Sequence, residues 1–244
     1  MAALLETRVI EKSFDERRVL EDIDVRVESG EIVSLVGPSG CGKSTLLRII
    51  AGLERSYSGA VALEGKTLSG RSSRIGFIFQ EPRLLPWLTV AQNISFSLGN
   101  GGATHPRVAR LLTEVGLDGY EDALPKQLSG GQAQRVSIAR GLFTQPQVLL
   151  LDEPFSAVDA FTRMKLQDLL LRVAAQHGTT LVLVTHDLDE ALYLGDRVLM
   201  MGANPGIIRR EVRVDLPHPR DRRDPVLAET RAELLTELYN AQVI

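Results

Sequence analysis

Several kinds of protein are excluded by what this 244-residue chain lacks. It has one cysteine, Cys41, which rules out an intrachain disulfide and suits a reducing compartment. It has no basic excess: 28 Lys and Arg face 31 Asp and Glu, a net charge of −3, so no nucleic-acid partner is expected. No apolar run approaches the roughly 18 to 20 residues that cross a bilayer, and the longest, near 148–151 and 181–184, are strand-sized. The start, MAALLETRVIEKSF, lacks a basic segment followed by a long apolar stretch, so no secretory signal is expected. No internal repeat or low-complexity tract stands out. What is present is a globular composition, 44% hydrophobic and 24% charged, with ample material for a core.

Strand-like and helix-like segments alternate, the pattern of an α/β protein with a largely parallel sheet. Residues 31–36 read as a buried strand, followed by a Gly-rich turn and a helical run over 44–51. Residues 74–79, 147–151 and 180–185 are further short apolar runs. The continuous VLLL and LVLV suit strands covered on both faces. Residues 8–14, 23–27 and 59–63 read as edge strands of a smaller antiparallel sheet. Between Pro86 and Phe143 helical periodicity dominates: Val108, Leu111, Leu112, Val115, then Val136, Ala139, Leu142, Phe143. The expected organisation is one domain over 1–244. Its nucleotide-binding core takes 1–85 and 144–217 and includes the antiparallel strands, with an inserted helical subdomain at 86–143 and a tail at 218–244. The tail should carry a helix from Pro225 to about Leu238, with Asp224 as its cap.

Residues Gly37, Pro38, Ser39, Gly40, Cys41, Gly42, Lys43, Ser44 and Thr45 match G-x-x-x-x-G-K-[ST] between an apolar strand and a helix. The three glycines open backbone conformations that let amide N–H groups converge on phosphate oxygens. The helix that follows adds its positive end. Lys43 is placed to reach β- and γ-phosphates, and the Ser44 hydroxyl to take one position on Mg²⁺. Cys41 reads as a small filler of the loop, because no base partners it.

Further along, Val148-Leu-Leu-Leu-Asp-Glu-Pro154 sets two carboxylates just past a buried strand. Ligands gather at the carboxyl ends of strands in open parallel sheets. There Asp152 suits Mg²⁺ through its water shell, and Glu153 suits a general base polarising the attacking water. His186 follows the strand LVLVT and is placed to contact a γ-phosphate. Gln80 ends IGFIFQ, where it can sense metal or water. In Leu128-Ser-Gly-Gly-Gln132, Ser129 is a good N-cap, and Gly130 and Gly131 let backbone approach an anion at the start of a helix over 132–143. A chain with a complete phosphate loop has most use for this second cradle if it completes the site of another subunit.

The phosphate loop, Gln80, LSGGQ, LLLDEP, Ser156-Ala-Val-Asp159 and His186 occur in the order and approximate spacing of ABC transporter ATPase subunits, which the chain resembles from about residue 5 to 215. The resemblance implies a phosphate-loop α/β fold and ATP as the nucleotide. It implies that Phe14 stacks on adenine, that Gln80 links the catalytic core to the helical subdomain, that Glu153 is the base, that Asp159 lies in a loop crossing a dimer interface, and that His186 is the γ-phosphate switch. Ser129, Gly130, Gly131 and Gln132 would contact the nucleotide of a second, head-to-tail ATPase subunit, read as a copy of this chain. Val158 stands where members often carry Leu, and touches no catalytic role.

The same resemblance implies transmembrane permease subunits as partners, received between Leu84 and Asn93, where Leu84, Leu85, Pro86 and Trp87 are apolar. An external solute-binding protein would act indirectly, and the chain would sit on the cytoplasmic face of the membrane. The tail from Asp196 is similar to that of the importer branch handling nitrate, sulfonates, taurine and related small solutes, and leaves the solute open among nitrate, sulfonate, taurine and pyrimidine-precursor solutes. Two rivals remain. A soluble ABC ATPase usually needs two cassettes or a coiled-coil insertion, and a small-molecule kinase would leave LSGGQ and His186 without employment.

Overall fold

Alternation and continuity of apolar residues separate two kinds of strand. The structure is a computed structural model describing residues 3–99 and 101–242. It divides into two compact units, one formed by the chain up to Ser72 and again from Thr180, the other by Ser73–Thr179. In the first unit, β1 (Leu5–Phe14) and β2 (Arg17–Val27) bury alternate residues, as one-sided strands do. They pair antiparallel with Leu5 opposite Val27 and Val9 opposite Ile23. The five residues of β3 (Ile32–Val36) are all buried, and α1 (Lys43–Ile50) follows after a six-residue loop. Next come β4 (Ser58–Leu63) and β5 (Lys66–Thr67), completing an antiparallel sheet in the order β2-β1-β4-β5. β1 and β4 are therefore interior strands, which corrects the expectation that both are edges. Alternation reports burial on one face, and an interior antiparallel strand shows it as clearly as an edge strand.

The second unit contains β6 (Ile75–Ile78), α2 (Val90–Ile94), α3 (Pro106–Val115), α4 (Gly130–Phe143), β7 (Val148–Asp152) and α5 (Ala160–His177). β6 and β7 are parallel, paired from Ile75 opposite Val148 to Ile78 opposite Leu151. The expected stripe Val108, Leu111, Leu112 and Val115 is the buried face of α3. Arginines tie the helices end to side: Arg135 on α4 donates to the Val115 carbonyl (2.6 Å), and Arg107 on α3 donates to that of Leu142 (3.0 Å). Each satisfies a carbonyl in the last turn of the other helix.

Back in the first unit lie β8 (Thr180–Val184), α6 (Leu188–Leu194), β9 (Arg197–Met201), β10 (Ile208–Arg213) and α7 (Pro225–Gln242). β3 runs parallel to β8 on one side and β9 on the other, and β10 closes antiparallel on β9. α7 begins as expected, with the Asp224 carboxylate accepting from Val226 N (2.9 Å), but continues to Gln242 rather than ending near Leu238. Parallel strands buried between helices make this the α/β fold that the alternating pattern indicates.

Candidate functional site

In the first unit the loop after β3 closes on its own lysine. Lys43 is 6% exposed, and its ammonium donates to the carbonyls of Gly37 (2.8 Å) and Pro38 (2.9 Å), with Cys41 Sγ at 3.7 Å. Gly42 at φ 100° starts α1, whose first turn has neither a side-chain cap nor an acidic residue, so its positive end is left to an anion. A Cβ on Gly42 would fall 2.5 Å from Leu20 Cδ2, so the β1–β2 hairpin packs directly against the loop. That hairpin carries Phe14, 47% exposed, at the end of β1. The buried Lys12 lies beneath the ring, its Nζ 4.0 Å from the centroid and held by the Ser56 carbonyl (2.7 Å) and Glu54 (3.2 Å).

Strand register then places His186. Leu35 pairs with Val184, and Thr185 N donates to the Leu35 carbonyl (3.1 Å). Exposed His186 thus follows two residues beyond the last pair, just past the end of β8 and beside the strand that leads into Gly37. Asp187 caps α6, its carboxylate accepting from Asp189 N (2.9 Å) and Glu190 N (3.2 Å).

The second unit makes a matching strand edge. Ile78 pairs with Leu151 at the end of the parallel ladder, and Gln80 and Glu153 each follow two residues beyond that pair. Asp152 is the last residue of β7 rather than just past it, and Glu153 is the first residue outside. Glu153 has φ 46°, a left-handed backbone costing a non-glycine residue about 1–3 kcal/mol, and the Ser156 hydroxyl braces it by donating to its carbonyl (3.0 Å). Such strain is characteristic of functional sites.

Ser129 caps α4 in a capping box: its hydroxyl accepts from Gln132 N (3.2 Å), and Gln132 Oε1 accepts from Ser129 N (2.8 Å). Gly130 has open space around it, whereas a Cβ on Gly131 would meet Thr162 Cγ2 at 2.6 Å. Thr162 belongs to the first turn of α5, whose cap is Asp159, so the second unit joins the LSGGQ start to the Asp159 loop. The Asp159 carboxyl is held below its ordinary pKa by hydrogen bonds from the Thr162 side chain and backbone. Arg140 on α4 donates to the carbonyls of Arg83 (2.9 Å) and Pro82 (2.5 Å), fixing the segment after Gln80. Burial pulls its guanidinium pKa down.

Lys12, Thr162 and Arg140 escaped the sequence reading, since nothing in their spacing marks contacts made through space. For a metal, no group of three or more His, Cys, Asp and Glu is assembled among the described residues.

A glycine loop closing on a lysine between a parallel strand and a helix defines the class: an α/β nucleotide-binding protein of the phosphate-loop kind. Residues 20–156 match the ABC transporter family. The chain is 61% identical to the aliphatic sulfonates import ATP-binding protein SsuB 1 of Pseudomonas savastanoi pv. phaseolicola, covering 99% of both chains. It is 57% identical to the protein of the same name from Pseudomonas aeruginosa, covering all of both. Among solved structures it is similar to cbiO1 from Clostridium perfringens, part of the ABC transporter complex cbiONQ, with a TM-score of 0.80, 26% identity and coverage of 95% of this chain and 93% of that one. It is also similar to a dimeric post-hydrolysis ATP-binding cassette bound to ADP and Pi, with a TM-score of 0.74, 31% identity and coverage of 87% and 100%. The chain belongs to the ABC transporter family, and it is an ATP-binding ATPase.

Proposed function

We propose that this chain is the ATP-hydrolysing motor of an importer of aliphatic sulfonates, working in pairs on the cytoplasmic face of the membrane beneath permease subunits that an external binding protein supplies. The solute rests on the identity to sulfonate importers over the whole chain. The mechanism rests on two strand edges, one bearing the phosphate loop and His186, the other Gln80, Asp152 and Glu153. Residues 86–143 form the helical subdomain, 1–85 and 144–217 the nucleotide core, and 218–244 the tail.

Phe14 stacks on adenine, and the amides from Gly37 to Thr45 with the start of α1 cradle the phosphates. Lys43 turns its ammonium from the loop carbonyls to the β- and γ-phosphate oxygens. Ser44, Asp152 and Gln80 would hold Mg²⁺, which would supply charge neutralisation on those oxygens. The Glu153 carboxylate takes a proton from water as the water oxygen bonds to the γ-phosphorus. The bond from that phosphorus to the β–γ bridging oxygen breaks, so that ADP leaves with that oxygen and phosphate is formed, and His186 donates a hydrogen bond to the γ-phosphate. In the capping box the Ser129 hydroxyl accepts from Gln132 N, which leaves the hydroxyl proton for the nucleotide held by a second subunit, together with the amides of Gly130 and Gly131, while Gln132 acts by holding Ser129. Asp159 lies beside that contact. ATP thus favours the closed pair through bonds available only there, and hydrolysis removes them.

Closure would reach the permease through the segment between Leu84 and Asn93. The fully buried Asn93 side chain pins it, accepting from Leu85 N (2.8 Å) and donating to the carbonyls of Leu85, Leu88 and Thr89. Trp87 is left 72% exposed beside a groove of about 250 Å³ lined by Leu88, Gln92 and Phe96.

Two measurements test this reading. Glu153→Gln should keep ATP, accumulate as a dimer and lose turnover by roughly 10²–10⁴-fold; hydrolysis at the parental rate refutes the role of Glu153. A strain lacking the chain should lose uptake of alkanesulfonates and regain it with the gene restored. Lost nitrate uptake with intact sulfonate uptake would refute the solute.

A further inference from the structure

Residues 215–224, DLPHPRDRRD, have no part in the mechanism above, yet they contain a fully buried cation. Arg220 Nη1 donates to the carbonyls of Leu192 (2.7 Å), Tyr193 (3.2 Å) and Gly195 (2.7 Å), Nη2 to Val214 (3.0 Å) and Nε to Leu216 (3.1 Å). The first three carbonyls belong to the C-terminal end of α6 and the residue after it, where intrahelical donors run out. A cation there also meets the negative end of the helix. The Asp196 carboxylate, 3.7 Å from Nη2, accepts from Ile32 N (2.8 Å) at the start of β3. The Arg220 fork thereby connects the tail to both α6 and the strand that feeds the phosphate loop.

α6 has only seven residues, too few to be stable on its own. Asp187, which caps its first turn, directly follows His186. Arg220 holds the other end. Along its side, Leu227 and Leu234 of α7 share one apolar cluster with Leu188 and Leu192 of α6 and with Val36, the residue before Gly37.

We propose that Arg220 is a positioning residue for ATP hydrolysis: by capping α6 and seating α7 against it, the tail fixes His186 just past the end of β8, beside the strand that leads into the phosphate loop. This rests on the reading of His186 as the group that bonds the γ-phosphate. A displacement near 1 Å, arising far from the chemistry, can cost up to about a hundredfold in rate.

The test uses the full chain, with steady-state Mg-ATP hydrolysis, titration of a fluorescent ATP analogue and thermal melts. Arg220→Lys keeps the charge but loses the planar fork. Leu227→Ala loosens α7 without leaving a buried charge unpaired. Both should remain folded at the assay temperature, lower kcat about tenfold or more, and leave the analogue's Kd within about twofold. His186→Ala should lower kcat at least as far, and Arg220→Lys combined with His186→Ala should be no slower than His186→Ala alone, since both changes act on one group. Parental kcat in either folded tail variant overturns the proposal. So do losses that multiply in the double variant while His186→Ala is itself slow, which marks a merely structural role. Parental turnover in His186→Ala refutes the reading of His186, and the inference falls with it.

Discussion

Alanine at position 37 would put a methyl group where β9 already stands. The added Cβ falls 2.5 Å from the Met201 carbonyl oxygen and 3.2 Å from Met201 Cβ, about 0.9 Å short of an ordinary contact at the oxygen. Met201 cannot yield cheaply, because β9 is paired with β3 and β10. Gly37 also has φ 154°, which side-chain-bearing residues rarely adopt. Backbone strain of about 1–3 kcal/mol and overpacking of about 1–3 kcal/mol give a loss of roughly 2–6 kcal/mol for Gly37→Ala. For a chain of this size that lowers Tm by about 4–24 °C. Gly40→Ala is the control: φ is 76° but no atom lies within 4 Å of its Cβ, so only the left-handed strain of about 1–2 kcal/mol remains. Relief of the clash would move the Gly37 and Pro38 carbonyls that hold Lys43, so Gly37→Ala should also weaken nucleotide binding. Calorimetric melts and titration with a fluorescent ATP analogue measure both effects. A Gly37→Ala protein melting within about 2 °C of Gly40→Ala would refute the steric argument.

Three further predictions concern other parts of the molecule. Trp87→Ala should weaken association with permease subunits in pull-down of the assembled transporter while leaving nucleotide affinity unchanged; the reverse would place Trp87 in the fold. Lys12→Met removes the cation under the Phe14 ring and should weaken ATP binding by roughly two- to fivefold, less than Phe14→Ala; unaltered affinity would show that the cation does not support stacking. For Glu114, 8% exposed, burial pushes the carboxyl pKa up, but hydrogen bonds and charge from His177 and Arg110 outweigh it and hold it below its ordinary 4.5. A depressed carboxyl stabilises the fold above the ordinary pKa and loses that contribution as pH falls through the folded-state value. Glu114→Gln should therefore melt lower than the parent at pH 7 and converge with it in acid; a constant difference across the range would refute this.

Some of the site was readable because its geometry is local. The phosphate loop joins a strand to the helix that follows it, so residues 37–45 carry both motif and setting in one stretch of chain. Asp152 and Glu153 follow an unbroken apolar run, and strand burial carries them to a strand end whatever the neighbours are. The cap at Ser129 acts within the next three residues and was legible for the same reason, whereas the return bond from Gln132 that completes a capping box was not read. Other features were not. β1 reads as an edge strand until β4 is seen beside it, because alternation records which face is buried and says nothing of how many strands flank it.

What the sequence determined by itself was therefore the class of fold, the nucleotide chemistry and the residues at the strand ends, all set by periodicity and contiguous motifs. Tertiary structure decided how those residues are held. Lys12 sits under Phe14 because the carbonyl of Ser56, 44 residues on, accepts a hydrogen bond from its ammonium. Arg140 reaches back 57 residues to steady the loop after Gln80, and Arg220 reaches 28 residues to cap α6 behind His186. A guanidinium in a sequence is a charge with no address. Burial strips its water, and the carbonyls that then satisfy it are fixed by packing rather than by distance along the chain.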